Sequence, residues 1–201
     1  MISFRNISVK YNDEFIISDF SLDIPREKAV CFFAPSGSGK TTLLRALCGL
    51  TPLHSGEIEG IKDKKIAVLF QENRLLNHLS ALDNLKLVLP KERHHEAALW
   101  LEKLGLGADG DKTPLQLSGG MNRRLAIART LAYGGDIYLL DEPFQGLDEA
   151  SLQQTMAVVK EATSHGQLIL VTHRREEALA LCDRIITLGQ RPLQVMNIEN
   201  L

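Results

Sequence analysis

Four short, largely apolar runs punctuate this chain: Lys28–Phe33, Ile66–Phe70, Ile137–Leu140 and Leu168–Thr172. None alternates with polar residues as a half-exposed strand would, and each is short for a buried helix. Runs of this kind suit strands covered on both faces, the condition of a parallel sheet. Between them lie segments of helical period. Ala97, Trp100, Leu101 and Leu104 fall at i, i+3, i+4 and i+7, and Leu152, Met156 and Val159 mark a helix within Glu149–Ser164. Ser80, three residues before Asp83, predicts a helix start ahead of Leu85 and Val88. Strands alternating with helices predict an α/β fold with a largely parallel sheet.

The alternation lapses between about residues 72 and 131, where the pattern is helical throughout. This stretch reads as a helical subdomain inserted into a core formed by about 1–71 and 132–201. Thr51–Gly60 and Gly105–Pro114 read as turns. With 201 residues and 44% hydrophobic content, the chain has material for one well-buried core but not for two large domains.

The run Lys28–Phe33 leads directly into Ala34-Pro-Ser-Gly-Ser-Gly-Lys-Thr-Thr42, and Leu43, Leu44 and Leu47 then open a helix. Strand, glycine-rich loop and helix in that order form the context a phosphate-binding loop requires. Gly37 and Gly39 let backbone N–H groups curl around phosphate oxygens, flanked by Ser36, Ser38 and Thr42. The helix N-terminus adds a favourable dipole. Lys40 supplies a cation for the β- and γ-phosphates, and the Thr41 hydroxyl suits Mg²⁺. Ala34 stands where the strict pattern has its first glycine. An extended backbone there would make the exchange cheap, whereas a left-handed one would cost about 1–2 kcal/mol.

The run Ile137–Leu140 ends in Asp141-Glu142-Pro143. Acids just past a buried strand lie at the carboxyl edge of the sheet, where α/β proteins bind ligands. Asp141 is placed to support Mg²⁺. Glu142 is placed to orient or deprotonate an attacking water, a role worth about 10²–10⁴ in rate.

Leu117-Ser-Gly-Gly-Met121, followed by the basic, alanine-rich Asn122–Thr130, resembles the signature motif of ATP-binding-cassette (ABC) ATPases. Ser118 caps a helix whose N-terminus is lined by Gly119 and Gly120, an anion site without a phosphate loop of its own. The resemblance implies that this site closes over ATP held by a second ABC ATPase subunit, in a head-to-tail dimer, read here as a homodimer. The resemblance also implies a P-loop NTPase core of ABC ATPase type, with an N-terminal antiparallel β region beside the inserted helical subdomain, and other segments match the family in order. Gln71 resembles the glutamine that touches the metal and senses the transporter, and Gln145-Gly-Leu-Asp148 resembles the D-loop. His173 resembles the histidine that contacts the γ-phosphate, and Tyr11 resembles the aromatic residue that stacks on adenine.

Within the family, Met121 stands where glutamine is commoner, and Asn73 takes a usual proline position. Gln71–Leu76 and Asp141-Glu-Pro-Phe144 are similar to importer ATPases of the nitrate, sulfonate and taurine type. The chain is accordingly expected to bind ATP and Mg²⁺ and to power an importer of a small anion or organic solute. Its other partners would be transmembrane permease subunits and an extracytoplasmic solute-binding protein. It would sit at the inner face of the cell membrane, held there by the permease. The chain stops soon after the strand-like Leu193–Ile198, so no long C-terminal regulatory domain is expected. An exporter with separate subunits stays open.

Other function classes fit less well. A net charge of −2 gives no bulk attraction for nucleic acid, so no nucleic-acid partner is expected. A DNA-repair member of the family would carry long heptads between phosphate loop and signature, and translation members usually carry two cassettes. A phosphate-loop kinase has no use for Leu117–Met121. Cys31, Cys48 and Cys182 form no C-x-x-C pair and read as buried free thiols. No window approaches the length of a membrane-spanning helix.

Overall fold

A computed structural model describes residues 1–26, 29–35 and 37–201; Lys28 and Ser36, both singled out above, lie outside the described residues. The first two strands, β1 (Ile2–Tyr11) and β2 (Glu14–Ile24), form an antiparallel hairpin, and β4 (Ser55–Glu59) pairs with the other edge of β1. The second sheet holds β3 (Val30–Phe33), β5 (Ile66–Leu69), β6 (Ile137–Asp141), β7 (Gln167–Thr172), β8 (Arg184–Leu188) and β9 (Val195–Asn200). Its order is β5-β6-β7-β3-β8-β9. Every pair is parallel except β8–β9, so β3 lies inside the sheet between two parallel neighbours.

Strand periodicity divides the core in two. Val30, Phe32, Ile137, Leu139, Ile169 and Val171 face the hairpin and helix α1 (Lys40–Leu47). Cys31, Tyr138, Leu140, Leu168 and Leu170 face the opposite side. There they pack against α4 (Gly119–Tyr133), α5 (Glu149–Thr163) and α6 (Arg175–Leu181). Because successive side chains point to opposite faces, a strand with no polar alternation is covered on both. Burying each Leu, Ile, Val or Phe contributes about 1.5–3 kcal/mol.

All the regular elements between β5 and β6 are helical: α2 (Ala81–Lys86), α3 (Glu96–Lys103), α4 and three short 3-10 turns. Ser80 caps α2 as its spacing predicts, its Oγ accepting from the Asp83 N–H at 3.0 Å. Helix α4 runs two residues past the expected edge at Leu131 and stops at Gly134 (φ 67°).

Two expectations need correction. Thr51–Gly60, read as turns, contains β4. Its sequence, Ser-Gly-Glu-Ile-Glu, is exposed apart from the half-buried Ile58, so no apolar run announces it. Pairing with β1 makes it a strand, and Gly56 (φ 81°) sits so close that a Cβ would lie 2.4 Å from the Arg5 and Asn6 carbonyls. Of the cysteines, Cys31 and Cys182 are buried, but Cys48 is only partly so; all three are free thiols.

Candidate functional site

Strand register brings the sequence-predicted residues to one edge of the sheet. Phe33 pairs with Thr172, Leu69 with Leu140, and Asp141 with Val171. The loop from Ala34, Gln71, the Asp141–Glu142 pair and His173 therefore leave the sheet at a common level. Gly37 to Thr42, Gln71, Asp141, Glu142, Gln145, His173 and Arg191 line a single cavity of about 220 Å³. That is below the roughly 300–1,000 Å³ of a pocket enclosing a small ligand, so it suits one part of a molecule.

The loop's backbone explains its composition. Gly37 and Gly39 have φ of 78° and 106°, and a Cβ on Gly39 would press on Ile16 Cγ2 at 3.0 Å. Ala34 is buried and is not among the residues of positive φ, as its place after the strand predicts. No side chain caps α1, which starts at Lys40. Lys40 Nζ donates to the carbonyls of Ala34 and Pro35, at 2.5 and 2.8 Å. Burial pushes the Lys40 ammonium below the usual lysine range, while Glu142 and Asp141 push it back up. The Ser38 hydroxyl is buried and has no hydrogen-bond partner among the described residues. An orphaned hydroxyl beside a lysine in a glycine-rich loop is chemistry that a phosphate oxygen would satisfy.

Opposite the loop, the Thr41 hydroxyl donates to Asp141 Oδ2 at 2.7 Å. Burial raises the Asp141 carboxyl above its ordinary value, partly offset by the Thr41 hydrogen bond, and Glu142 raises it further. Glu142 has φ 46°, a left-handed backbone uncommon for a non-glycine residue. Its carboxylate oxygens lie 2.9 and 3.0 Å from His173 Nδ1. A carboxylate only accepts, so Nδ1 carries the proton in this pair. His173 itself follows Thr172, whose hydroxyl donates to the buried Glu177 at 2.6 Å and accepts from the Arg174 N–H.

The remaining candidates lie outside the cavity. Ser118 is exposed and caps α4, its Oγ accepting from the Met121 N–H at 3.2 Å. Gly119 has open space where a Cβ would point, and a Cβ on Gly120 would lie 3.2 Å from the Gly146 carbonyl. Asp148 caps α5 through the Ser151 N–H, a bond that holds its carboxyl below the usual range. Tyr11 ends β1, and its hydroxyl lies 3.2 Å from Thr51 Oγ1.

Two arginines that the sequence analysis did not single out also belong to this site. Arg191 donates to the Gly37 carbonyl at 3.0 Å, bracing the glycine-rich loop from the β8–β9 connection. Arg123 on α4 is 4% exposed and spreads its guanidinium over backbone carbonyls next to Gln71 and Glu142. Burial pushes it down to about 10, opposed by Asp141 and Glu142, so it stays charged at neutral pH. Arg123 lies in a basic segment and Arg191 stands alone between Arg184 and the last residue, and nothing local to either indicates what it binds.

The family model described as ABC transporter matches residues 17–145. The aliphatic sulfonates import ATP-binding protein SsuB 1 of Paracoccus denitrificans (strain Pd 1222) is 37% identical, over 93% of this chain and 78% of its own length. The sulfate/thiosulfate import ATP-binding protein CysA of Escherichia coli (strain K12) is 36% identical, over 94% of this chain and 58% of its own length. Its counterpart in Shigella flexneri is 35% identical, over 99% of this chain and 60% of its own length. The chain thus spans about 60% of the length of such sulfate/thiosulfate relatives. Among solved structures, the ATP-binding cassette MJ0796, a dimer in a post-hydrolysis state bound to ADP and Pi, superposes with a TM-score of 0.88 at 28% identity. That match covers 100% of this chain and 99% of the other.

Proposed function

This chain belongs to the ABC transporter family, and from that premise we propose that it is the ATP-binding, ATP-hydrolysing subunit of an importer for a small anion. The observation that carries the reading is the division of the site. Lys40, Thr41, Asp141, Glu142 and His173 line one cavity, while Ser118 and Gly119, at an exposed helix start, lie outside it. A cavity of about 220 Å³ has room for a phosphate tail and not for a whole nucleotide, so the outer side of the nucleotide would stay uncovered. A head-to-tail second copy would close that side with its own Ser118 and Gly119. That the similar MJ0796 cassette is a dimer with ADP and Pi bound supports a two-copy reading.

In this reading the phosphates of ATP draw Lys40 from the Ala34 and Pro35 carbonyls, since an anion is the stronger partner for an ammonium. Thr41, Asp141 and the Gln71 side chain offer hard oxygen donors, which fit Mg²⁺ held together with substrate phosphates and water. When bound, Mg²⁺ would neutralise charge building up on the β- and γ-phosphate oxygens. Glu142 orients a water in line with the γ-phosphorus. The water oxygen bonds to phosphorus, the bond to the β-phosphate oxygen breaks, ADP leaves and the proton passes to Glu142. His173 steers the Glu142 carboxylate through Nδ1 until nucleotide arrives. Tyr11 would stack on adenine, Ser36 would join the phosphate cradle, and Asp148 would reach across the dimer.

The relatives described above are import ATP-binding proteins for sulfate/thiosulfate and for aliphatic sulfonates, which supports a small oxyanion as cargo. Among the described residues no helix is long and apolar enough to cross a membrane. The pathway would therefore belong to permease subunits, contacted by residues 72–131 as a helical subdomain, with a solute-binding protein delivering cargo on the far side. The test is Glu142→Gln. ATP turnover should fall at least 100-fold while an ATP-bound dimer accumulates in size-exclusion chromatography. Unchanged turnover would remove Glu142 from the chemistry.

A further inference from the structure

Glu142 combines two properties that do not coexist without support. It carries the carboxylate assigned to the attacking water, and its backbone is left-handed at φ 46°. Such a conformation in a non-glycine residue persists only where its surroundings over-determine it. One constraint is local to the sheet: the Glu142 N–H donates to the Val171 carbonyl at 2.8 Å. A second comes from α4. Arg123 Nη2 donates to the Glu142 and Asp141 carbonyls, each at 2.8 Å, and Nε donates to Pro143 O at 2.8 Å. The guanidinium thus grips three consecutive carbonyls centred on the strained residue.

The same guanidinium faces the Gln71 loop. Nη1 donates to Phe70 O at 2.8 Å, Gln71 O at 3.0 Å and Asn73 Oδ1 at 3.1 Å. Its nitrogens are therefore all engaged, with backbone on either side of the catalytic cleft. A planar fork serves two fixed rows of acceptors in this way; a lysine ammonium, a point charge with one donor atom, does not. Arg123 lies five positions after Ser118 on the same helix, so α4 joins the signature end to both loops through one buried side chain.

We propose that Arg123 is a positioning residue for ATP hydrolysis: it holds the Glu142 carboxylate and the Gln71 loop in a fixed relation without touching nucleotide. This inference rests on the ATPase reading above. Its content is that fork geometry, and not charge alone, sets the rate of the chemical step while leaving nucleotide affinity intact.

The test compares the full-length chain with Arg123→Lys and Arg123→Gln, measuring kcat, ATP Kd and ATP-dependent dimer formation, with folding checked by thermal unfolding. Arg123→Lys should lose tenfold or more in kcat with its ATP Kd within threefold of the parent. Its ATP-bound dimer should last longer, because a slowed chemical step delays reopening. Arg123→Gln should lose at least as much kcat; if it fails to fold, Arg123→Lys alone decides. Arg123→Lys with kcat within twofold of the parent overturns the proposal. So does a variant whose affinity and dimer are lost in step with kcat, the mark of a merely weakened fold. A parent chain that hydrolyses no ATP would instead overturn the proposed function, so the two failures are distinct.

Discussion

The Thr41 hydroxyl and the Asp141 carboxylate meet at 2.7 Å although the residues lie 100 positions apart. This contact ties the start of α1 to the end of β6 and sets together the two oxygens proposed to support Mg²⁺. It also places a carboxylate where burial works against its charge, so Asp141 titrates above its ordinary 3.8.

That shift has a defined sign. The native protein holds the Asp141 proton more tightly than the unfolded chain does. The resulting stability is fully present below about pH 3.8 and is lost as the pH rises through the raised native value. At neutral pH the bare carboxylate is therefore a net liability in the nucleotide-free protein. Asp141→Asn, which keeps an oxygen to accept from Thr41, should raise the Tm at pH 7, with the gain shrinking toward pH 4. The same variant should weaken ATP binding in the presence of Mg²⁺ far more than in its absence. Thermal unfolding across pH checks the first part, and a Tm at pH 7 no higher than the parent's would contradict it.

Ala34 occupies a glycine's place without left-handed strain, because it directly follows β3 and its φ is not positive. Its carbonyl, which any residue would supply, is what Lys40 uses. Ala34→Gly should therefore change ATP affinity by less than tenfold, about 1.4 kcal/mol or less. It should also lower stability by about 1 kcal/mol, because glycine loses more backbone freedom on folding. Titration calorimetry and denaturant unfolding measure the two effects. A gain in affinity beyond tenfold would show that the alanine does constrain the loop.

Ser118 caps α4 within its own chain, and the proposed function gives it a second, separable role as a phosphate contact across a dimer. Ser118→Ala removes the acceptor for the Met121 N–H and should cost about 1 kcal/mol of stability. Ser118→Asp keeps the cap, since aspartate is as good an N-cap as serine. In the proposed dimer it would also set a negative charge against the γ-phosphate held by the opposite subunit. That variant should be as stable as the parent yet form no ATP-dependent dimer. Equal dimerisation of Ser118→Asp and the parent, followed by sedimentation with ATP, would argue that the α4 end faces no nucleotide.

The parallel core was readable because strands covered on both faces must be apolar throughout, as Val30–Phe33 and Ile137–Leu140 are. Lys40, Thr41, Asp141, Glu142 and His173 were readable for a related reason. Each follows directly on such a strand or its loop, so local order along the chain predicts a shared edge. The edge strand β4 was not readable, because hydrogen bonds to β1 create it and its own residues bury almost nothing.

From sequence alone came the sheet's buried strands, the phosphate loop, the paired acids and the capped second helix. All of these are patterns of side-chain type at short spacing. Tertiary structure alone decided what Arg123 and Arg191 do. Arg123 reaches carbonyls 18 to 53 positions away, and Arg191 reaches one 154 positions away. A carbonyl is present at every residue and leaves no trace in the sequence, so which ones an arginine grips is known only once the chain has folded.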